Sequence, residues 1–172
     1  MATESETFAS ADVDRFLDEL RLIERDALVA RLEAAGSRLA SLAQRIPESP
    51  PPGDGWNPKQ VLAHLAALSK LYGMLTYRVG TGALSAFDLM AMVNQRDAAG
   101  AALAQLPVAE LVAMVQADHA RTLAFARSAS AEQWERRCRF NGERDMSAGE
   151  IFRLPLVAHV EQHLSQLEAA LG

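Results

Sequence analysis

The sequence predicts an all-α protein, a four-helix bundle with a long crossover connection and one or two short extra helices. Residues that favour helix (Ala, Leu, Glu, Gln and Arg) are abundant, and β-branched residues are sparse. Apolar residues recur at intervals of three and four, and prolines, glycines and capping residues divide the chain into four long segments. At 172 residues and 49% hydrophobic side chains, the chain can bury one core, and we assign residues 1–172 to a single domain.

The first helix is predicted to begin after Ser10, a suitable N-cap, and to end before Pro47. We expect residues 1–9 to be disordered or frayed. The apolar positions of this helix follow a regular 4-3-4-3-4 spacing, which draws one stripe along a helix: Leu28, Leu32, Ala35, Leu39, Leu42 and Ile46.

The second helix is predicted to begin at Pro58, with Asn57 as its cap, and to run to about Arg78. It comes after a loop rich in proline and glycine, and its core stripe is Val61, Leu65, Leu68, Tyr72 and Leu75. The weaker segment 86–106 is expected to hold a short helix with irregular ends. It supplies the long connection to the third long helix.

The third long helix is predicted to begin at Pro107, and a capping box at residues 130–133 begins a short helix that carries Trp134. Residues 138–145 are interpreted as a loop. A second capping box at residues 147–150 begins the last helix, which runs to Leu171. Pro155 lies inside that helix, where it either kinks the helix and re-aims the residues after it or marks a helix restart.

The histidines carry the main chemical signal of the chain. His159 and His163 lie four residues apart, so their side chains stack on one helical face. His64 lies on the apolar face of the second helix, and bundles of this kind build metal sites from facing helices. Three histidine ligands leave a coordination position open for chemistry. The alternative is that each histidine is a hydrogen-bonded core residue.

His119 also lies in an apolar stripe, and three roles remain open for it: a fourth ligand, a proton carrier near the metal, or a core histidine. We expect its neighbour Asp118 to be exposed. Glu161 lies two residues from both His159 and His163, so it points away from them and is expected to be a surface residue. That spacing excludes the zinc-protease motifs, which need a glutamate directly beside a histidine.

Composition excludes several classes of protein. Seventeen basic and 22 acidic residues give a net charge of −5, without a Lys/Arg run, which argues against a nucleic-acid partner. The acidic start does not resemble a signal peptide, and no apolar run is long enough to span a membrane. The single cysteine, Cys138, fits a reducing compartment, so we expect a cytoplasmic protein. Trp56 and Trp134 are interpreted as packing residues.

Three motifs occur together along the chain: Trp56-Asn57-Pro58, His64-Leu65, and His159-x-x-x-His163-Leu164-x-Gln166-Leu167. In this combination the chain resembles the DinB-like superfamily of small, predominantly bacterial four-helix-bundle proteins. The superfamily includes bacillithiol transferase-type members and the N-terminal type of mycothiol-dependent maleylpyruvate isomerase. Residues 87–94 also look like the isomerase subgroup. The resemblance covers nearly the whole chain from the first helix onward.

The resemblance implies that His64, His159 and His163 hold a divalent metal, most commonly zinc or nickel, with water in the remaining positions. It further implies a thiol such as mycothiol or bacillithiol as cofactor, a small-molecule substrate and a homodimer. The reaction we expect is transfer or isomerisation of a small electrophile attacked by a metal-bound thiolate, and without a thiol the same metal would support hydrolysis. Arg78, Arg96, Arg121 and Arg153 are candidates to hold a cofactor carboxylate, and for each a surface charge is the alternative.

Two further alternatives belong to other classes of protein. One is a metal- or ligand-binding bundle of a stress-response type without turnover, which the lack of a clear general acid or base beside the histidines favours. The other is a structural dimer with vestigial histidines.

Overall fold

A computed structural model describes residues 10–50 and 55–172, with the side chains of residues 10–12 and 95–99 excluded. The predicted mostly helical bundle is confirmed. The helices, numbered in chain order, are α1 Ser10–Ala43, α2 Pro58–Gly80, α3 Leu89–Leu103, α4 Val108–Ser128, α5 Ala131–Glu135, α6 Ala148–Ile151 and α7 His159–Leu171, with a π-helical segment, Phe152–Ala158, between the last two. The strands are β1 Ala86–Phe87, β2 Arg137–Phe140 and β3 Arg144–Ser147. The prediction for residues 1–9, most of the proline-rich loop (51–54) and the Arg96 side chain lie outside the described residues.

The first and last helices run parallel and are joined by a ladder of ion pairs. Arg31 donates to Glu161 over 2.8 and 2.5 Å, and one heptad further Arg38 donates to Glu168 over 3.0 and 2.8 Å. Just beyond the end of α1, the Arg45 guanidinium donates to the Leu171 carbonyl over 2.5 Å. Because the partners in both segments advance in the same direction along the chain, α1 and α7 point the same way.

The second and fourth helices also run parallel, as their closest contacts show. Ser69 meets His119, and four residues later Gly73 faces Thr122. By contrast, α1 runs against α4, since Arg25 reaches the Ala129 carbonyl while Glu33 pairs with Arg127. The bundle therefore has an up-down-down-up topology, and the predicted long crossover, which contains α3, is what allows α2 and α4 to point the same way.

Gly73 sets the distance between α2 and α4. A Cβ added at Gly73 would lie 2.2 Å from the Thr122 hydroxyl oxygen, which donates to the Asp118 carbonyl at 2.8 Å. Rotating that hydroxyl away would break its hydrogen bond, so the helices would have to separate instead. The close crossing depends on the absence of a side chain at Gly73.

We expect Gly73→Ala to destabilise the fold by about 1–3 kcal/mol, as overpacking does. The gain in helix propensity of about 1 kcal/mol offsets only part of this. In the double variant Gly73→Ala/Thr122→Ala the clashing oxygen is absent, and the nearest remaining atom is the Cβ at 3.5 Å. A double-mutant cycle by urea unfolding should show strong positive coupling. Additive effects of the two substitutions would contradict this account.

The prediction of a loop at residues 138–145 is wrong. Strands β2 and β3 form an antiparallel hairpin there, paired from Arg137 with Ser147 to Phe140 with Arg144, and β1 adds to β2 in parallel. Asn141 and Gly142 make the tight turn, with φ of 51° and 70°. These values lie in the left-handed region, which the Asn-Gly dipeptide tolerates. That dipeptide is the signal in the sequence that could have identified the hairpin.

The segment predicted as a single last helix is a helix in three parts. Pro155 lies in the π-helical segment, where the chain accommodates a residue that lacks a backbone N–H. The α-helix resumes at His159. A π-helical stretch inserts extra backbone, and each inserted residue rotates the next helical segment by about 100°. The π segment therefore helps set the direction in which His159 and His163 face.

The core coincides with the predicted stripes, and the largest fully buried side chains include Leu32, Leu39, Leu65, Leu75, Phe152 and Leu164. Trp134 is buried as expected. The N-terminal end of α1 carries large exposed apolar side chains, including Val13, Phe16, Leu17 and Leu20. Among the described residues, no helix has the length and hydropathy needed to cross a membrane.

Candidate metal centre

Helices α2 and α7 bring His64, His159 and His163 together, as the sequence spacing predicts. The Nε2 atom of His159 lies 3.1 Å from Nε2 of His64 and 3.1 Å from Nε2 of His163. One nitrogen from each of the three rings lies within 4.8 Å of the other two. Three ring nitrogens thus converge on one point between two antiparallel helices.

The geometry of the donor set fits a metal ion. Two nitrogens bound tetrahedrally at 2.0–2.1 Å from zinc lie about 3.3 Å apart, close to the 3.1 Å separations found here. Within the described ranges, the buried Nδ1 of His159 has no hydrogen-bond partner. Burial, followed by the neighbouring His163 and His64, lowers the pKa of His159 to about 3. The ring is therefore neutral at physiological pH, the form that ligates metals.

A further side chain on α7 orients one of these rings. Nδ1 of His163 lies 2.8 Å from Oε1 of Gln166, and assigning the proton to Nδ1 lets the ring donate to that amide oxygen. This tautomer leaves the Nε2 lone pair facing the other two histidines. An outer hydrogen bond of this kind is the usual support of a metal-bound histidine.

Two aromatic rings enclose the three histidines. The buried Tyr72 presents an edge-on contact to His159, with ring centroids 5.4 Å apart. Trp56 contacts the other two rings, with its centroid 4.6 Å from that of His64 and 6.5 Å from that of His163, to which it is nearly parallel. Trp56 is 51% exposed, so its interpretation as a packing residue is wrong. Its ring instead forms an outer wall of the site. No sequence pattern indicates this role, because Trp56 lies one position before the helix cap.

A cleft of about 120 Å³ opens beside His64, lined by Trp56, Gln60, Gly100, Ala101 and Ala104. A cleft of this size holds only a few water molecules. The small residues near the C-terminal end of α3 leave this space open. A ligand can therefore reach the neighbourhood of His64, but only a small group fits inside the cleft.

The charged residues considered from the sequence lie away from this cleft. Glu161 is held by Arg31 in the ladder, which lowers the pKa of the glutamate, and its predicted outward orientation is confirmed. Arg121 pairs with Asp118, and Arg153 pairs with Glu24. Among the described residues, none of the candidate arginines lines the cleft beside His64.

His119 lies outside the histidine cluster, 3.0 Å from the Ser69 hydroxyl, and only 4% of it is exposed. This position favours the core-histidine alternative. Its neighbour Asp118 is 7% exposed, so the expected exposure of that carboxylate is wrong. Asp118 is covered because it lies beside α2 and accepts a hydrogen bond from Arg121.

We expect His119 to make the apoprotein less stable in acid. Burial lowers its pKa to about 4, partly opposed by the Asp118 carboxylate, against 6.5 for an unperturbed histidine. Because the unfolded chain binds the proton more tightly, the stabilisation is complete above pH 6.5 and is lost as the pH falls toward about 4. The loss is about 3 kcal/mol.

Urea unfolding in EDTA at about pH 7 and about pH 4.5 measures this effect. His119→Gln keeps a hydrogen-bonding group but does not titrate, so its loss of stability between the two pH values should be smaller than that of the wild type. An equal loss in both proteins would show that His119 is not responsible.

The fold and the cluster define a class: helical bundles in which two antiparallel helices present three histidines to one point. The chain belongs to the DinB superfamily, whose family model matches residues 27–167. The matched range includes all three histidines. The resemblance noted from the sequence motifs is therefore confirmed.

A crystal structure of a mycothiol-dependent maleylpyruvate isomerase has a similar fold, with a TM-score of 0.64 and 17% sequence identity. The alignment covers 83% of this chain and 60% of the isomerase, so this chain spans less than two thirds of that protein's length. At this identity the likeness shows the fold alone. No curated protein matches the sequence.

Proposed function

We propose that this protein binds a divalent metal ion through His64, His159 and His163, and that it acts as a metal-dependent, thiol-dependent transferase or isomerase on a small electrophile. The observation that carries the metal site is the convergence of three Nε2 atoms, two of them 3.1 Å from the third. Zinc and nickel are the expected ions, since imidazole nitrogen suits both.

The chain's own residues would hold the ion and shape its surroundings. His64 and His163 approach from two helices, and His159 lies between them above Tyr72. A bound metal lowers the pKa of a coordinated thiol, so that the thiolate is present at neutral pH. Trp56 would shield one side of that group from water and offer an apolar surface to the substrate. The cleft beside His64 limits what enters to the reactive end of a thiol.

The thiol requirement comes from the isomerase with the similar fold, which is described as mycothiol-dependent. A metal-bound water is the alternative nucleophile, and it would make the protein a hydrolase. A bundle that binds metal without turnover is the remaining alternative. Among the described residues that line the cleft, His64 alone has an acidic or basic side chain, and this favours the non-catalytic alternative.

A turnover assay separates these functions. Zinc- or nickel-loaded protein is incubated with a chromogenic electrophile and, in turn, mycothiol, bacillithiol, cysteine or no thiol. We expect thiol-dependent product formation that His159→Ala lowers by at least about 100-fold, because loss of a proposed ligand should cost more than the 10- to 100-fold loss that follows removal of a ligand's outer partner. Turnover without a thiol would instead indicate the hydrolase.

The matched control is His119→Gln, which replaces a histidine outside the cluster. Product formation at the wild-type rate in both variants would overturn the catalytic role of the cluster. Metal binding without any turnover would support the non-catalytic bundle. The expected homodimer stays a prediction, which sedimentation at several protein concentrations would test.

A further inference from the structure

A second cavity lies between α2 and α4, separate from the histidine cluster. This α2–α4 groove has a volume of about 580 Å³, within the range of small-molecule sites. None of the three clustered histidines is among the described residues that line it. The residues that shape the groove are Lys70, Met74, Tyr77, Arg121, Ala124 and Phe125.

The floor of the groove is apolar and aromatic. Tyr77 and Phe125 meet edge to face with ring centroids 5.4 Å apart, and Met74 lies one turn before Tyr77 on α2. Tyr77 is 54% exposed, although its ring is a large apolar surface. A flexible methionine beside two rings suits a ligand with an apolar, ring-containing body.

The hydroxyl donors of Thr122 and Ser128 in the groove are already used. Thr122 donates to the Asp118 carbonyl at 2.8 Å, and Ser128 donates to the Ala124 carbonyl at 2.9 Å. Both bonds stay within α4. These two residues therefore offer no free proton to a ligand, which leaves the charged groups at the rim and the Tyr77 hydroxyl to bind its polar end.

The charges at the rim leave one excess positive charge. Asp118 is buried and accepts a hydrogen bond from Arg121, so these two charges offset each other. Lys70 is exposed, and no ion-pair partner for it is found in the part of the chain that the structure describes. An ammonium group thus stands at the edge of an apolar floor, which complements a single negative charge.

We propose that the α2–α4 groove binds a small amphipathic monoanion, a molecule with an apolar or aromatic body and one carboxylate or sulfonate group. The body would lie on Met74, Tyr77 and Phe125, with the anion toward Lys70. This site goes beyond the proposed function, since it involves neither the histidines nor a metal.

A matched pair of fluorescent probes tests the proposal. 1-Anilinonaphthalene-8-sulfonate carries the ring body and one negative charge, and N-phenyl-1-naphthylamine has the same body without the charge. We expect the anionic probe to bind the full chain at one site and more tightly than the neutral probe. Metal-free and zinc-loaded protein should bind it equally. Failure of the probes to bind would therefore overturn the groove proposal alone, and the metal site would stand or fall by its own experiments.

Two substitutions test separately the contacts of the groove with the ring body of the probe and with its negative charge. Lys70→Gln should weaken binding of the anionic probe by about threefold, as an exposed charge contact does, and leave the neutral probe unchanged. Ala124→Trp places a large ring in the groove from an exposed position and should weaken both probes by more than about tenfold. The controls are Arg78→Gln, an exposed cation on α2, and Ala113→Trp, about 16 Å along α4.

Unchanged affinity for both probes in Ala124→Trp would overturn the proposal, because the probes would then bind elsewhere. The proposal would also be overturned if Ala113→Trp weakened probe binding as much as Ala124→Trp does. A third outcome is that the wild type is a dimer, that Ala124→Trp makes it a monomer, and that the probes bind only the monomer. This result would show that a second copy of the chain covers the groove, and it too would overturn the proposal. Circular dichroism of each variant checks that the substituted protein is still folded.

Discussion

His159→Ala is expected to lower the affinity for zinc or nickel by roughly 100-fold or more, beyond the 10- to 100-fold effect of losing an outer partner of a ligand. His159 is the central ring, since its Nε2 lies 3.1 Å from the nitrogen of each neighbour. Its removal leaves two donors that face each other across the gap. Elemental analysis after dialysis measures the bound metal. Quenching of Trp56 fluorescence by nickel gives the affinity, because that ring lies 4.6 Å from His64.

His119→Gln is the matched control, and it should retain full metal content. His163→Ala, at a half-buried position, provides a second cluster variant if His159→Ala folds poorly. The metal site is disproved if both cluster variants keep the metal content and affinity of the wild type, as the control His119→Gln is expected to do.

Zinc is expected to raise the melting temperature by roughly 5–10 °C when present at about 100 times its dissociation constant. A ligand that binds only the folded state stabilises it by about 2.7 kcal/mol at that concentration. Each kcal/mol shifts the melting temperature of a chain of this size by about 2–4 °C. The ion would tie α2 to α7, so its contribution appears only when both helices are in place.

Thermal unfolding in EDTA, zinc and magnesium measures this shift. Magnesium prefers oxygen ligands and should have no effect. The same zinc concentration should leave the melting temperature of His64→Ala unchanged. An equal shift in that variant would mean that zinc stabilises the fold from another place on the surface.

The histidine cluster could be predicted because its signals are local. The four-residue spacing of His159 and His163 fixes their shared face, and His64 lies in the apolar stripe of α2. What periodicity does not give is the pairing of helices that are far apart in sequence. The bundle topology and the resemblance supplied that step, and the structure then gave the 3.1 Å contacts.

Other parts of the site and fold escaped prediction for physical reasons. Trp56 lies before the helix begins, so no periodicity describes where its ring points. Asp118 reads as a surface residue, yet packing against α2 covers it. Gly73 lines the α2–α4 groove where the two helices approach closely, and a glycine inside a helix carries no signal about the neighbouring helix. The hairpin was missed although Asn141-Gly142 marks its turn.

The distance along the chain between His64 and His159 has a consequence for the biosynthesis of the protein. The two rings are 95 residues apart in sequence, and α3, α4 and the hairpin lie between them. Contacts of such separation close late, after the local helical pairs have formed. A ribosome that has made α2 has therefore produced one of the three histidines but not the cluster. If the cluster holds a metal as we propose, the ion can be bound only after α7 has been synthesised and has docked against α2, so metal content would report how far the bundle has assembled.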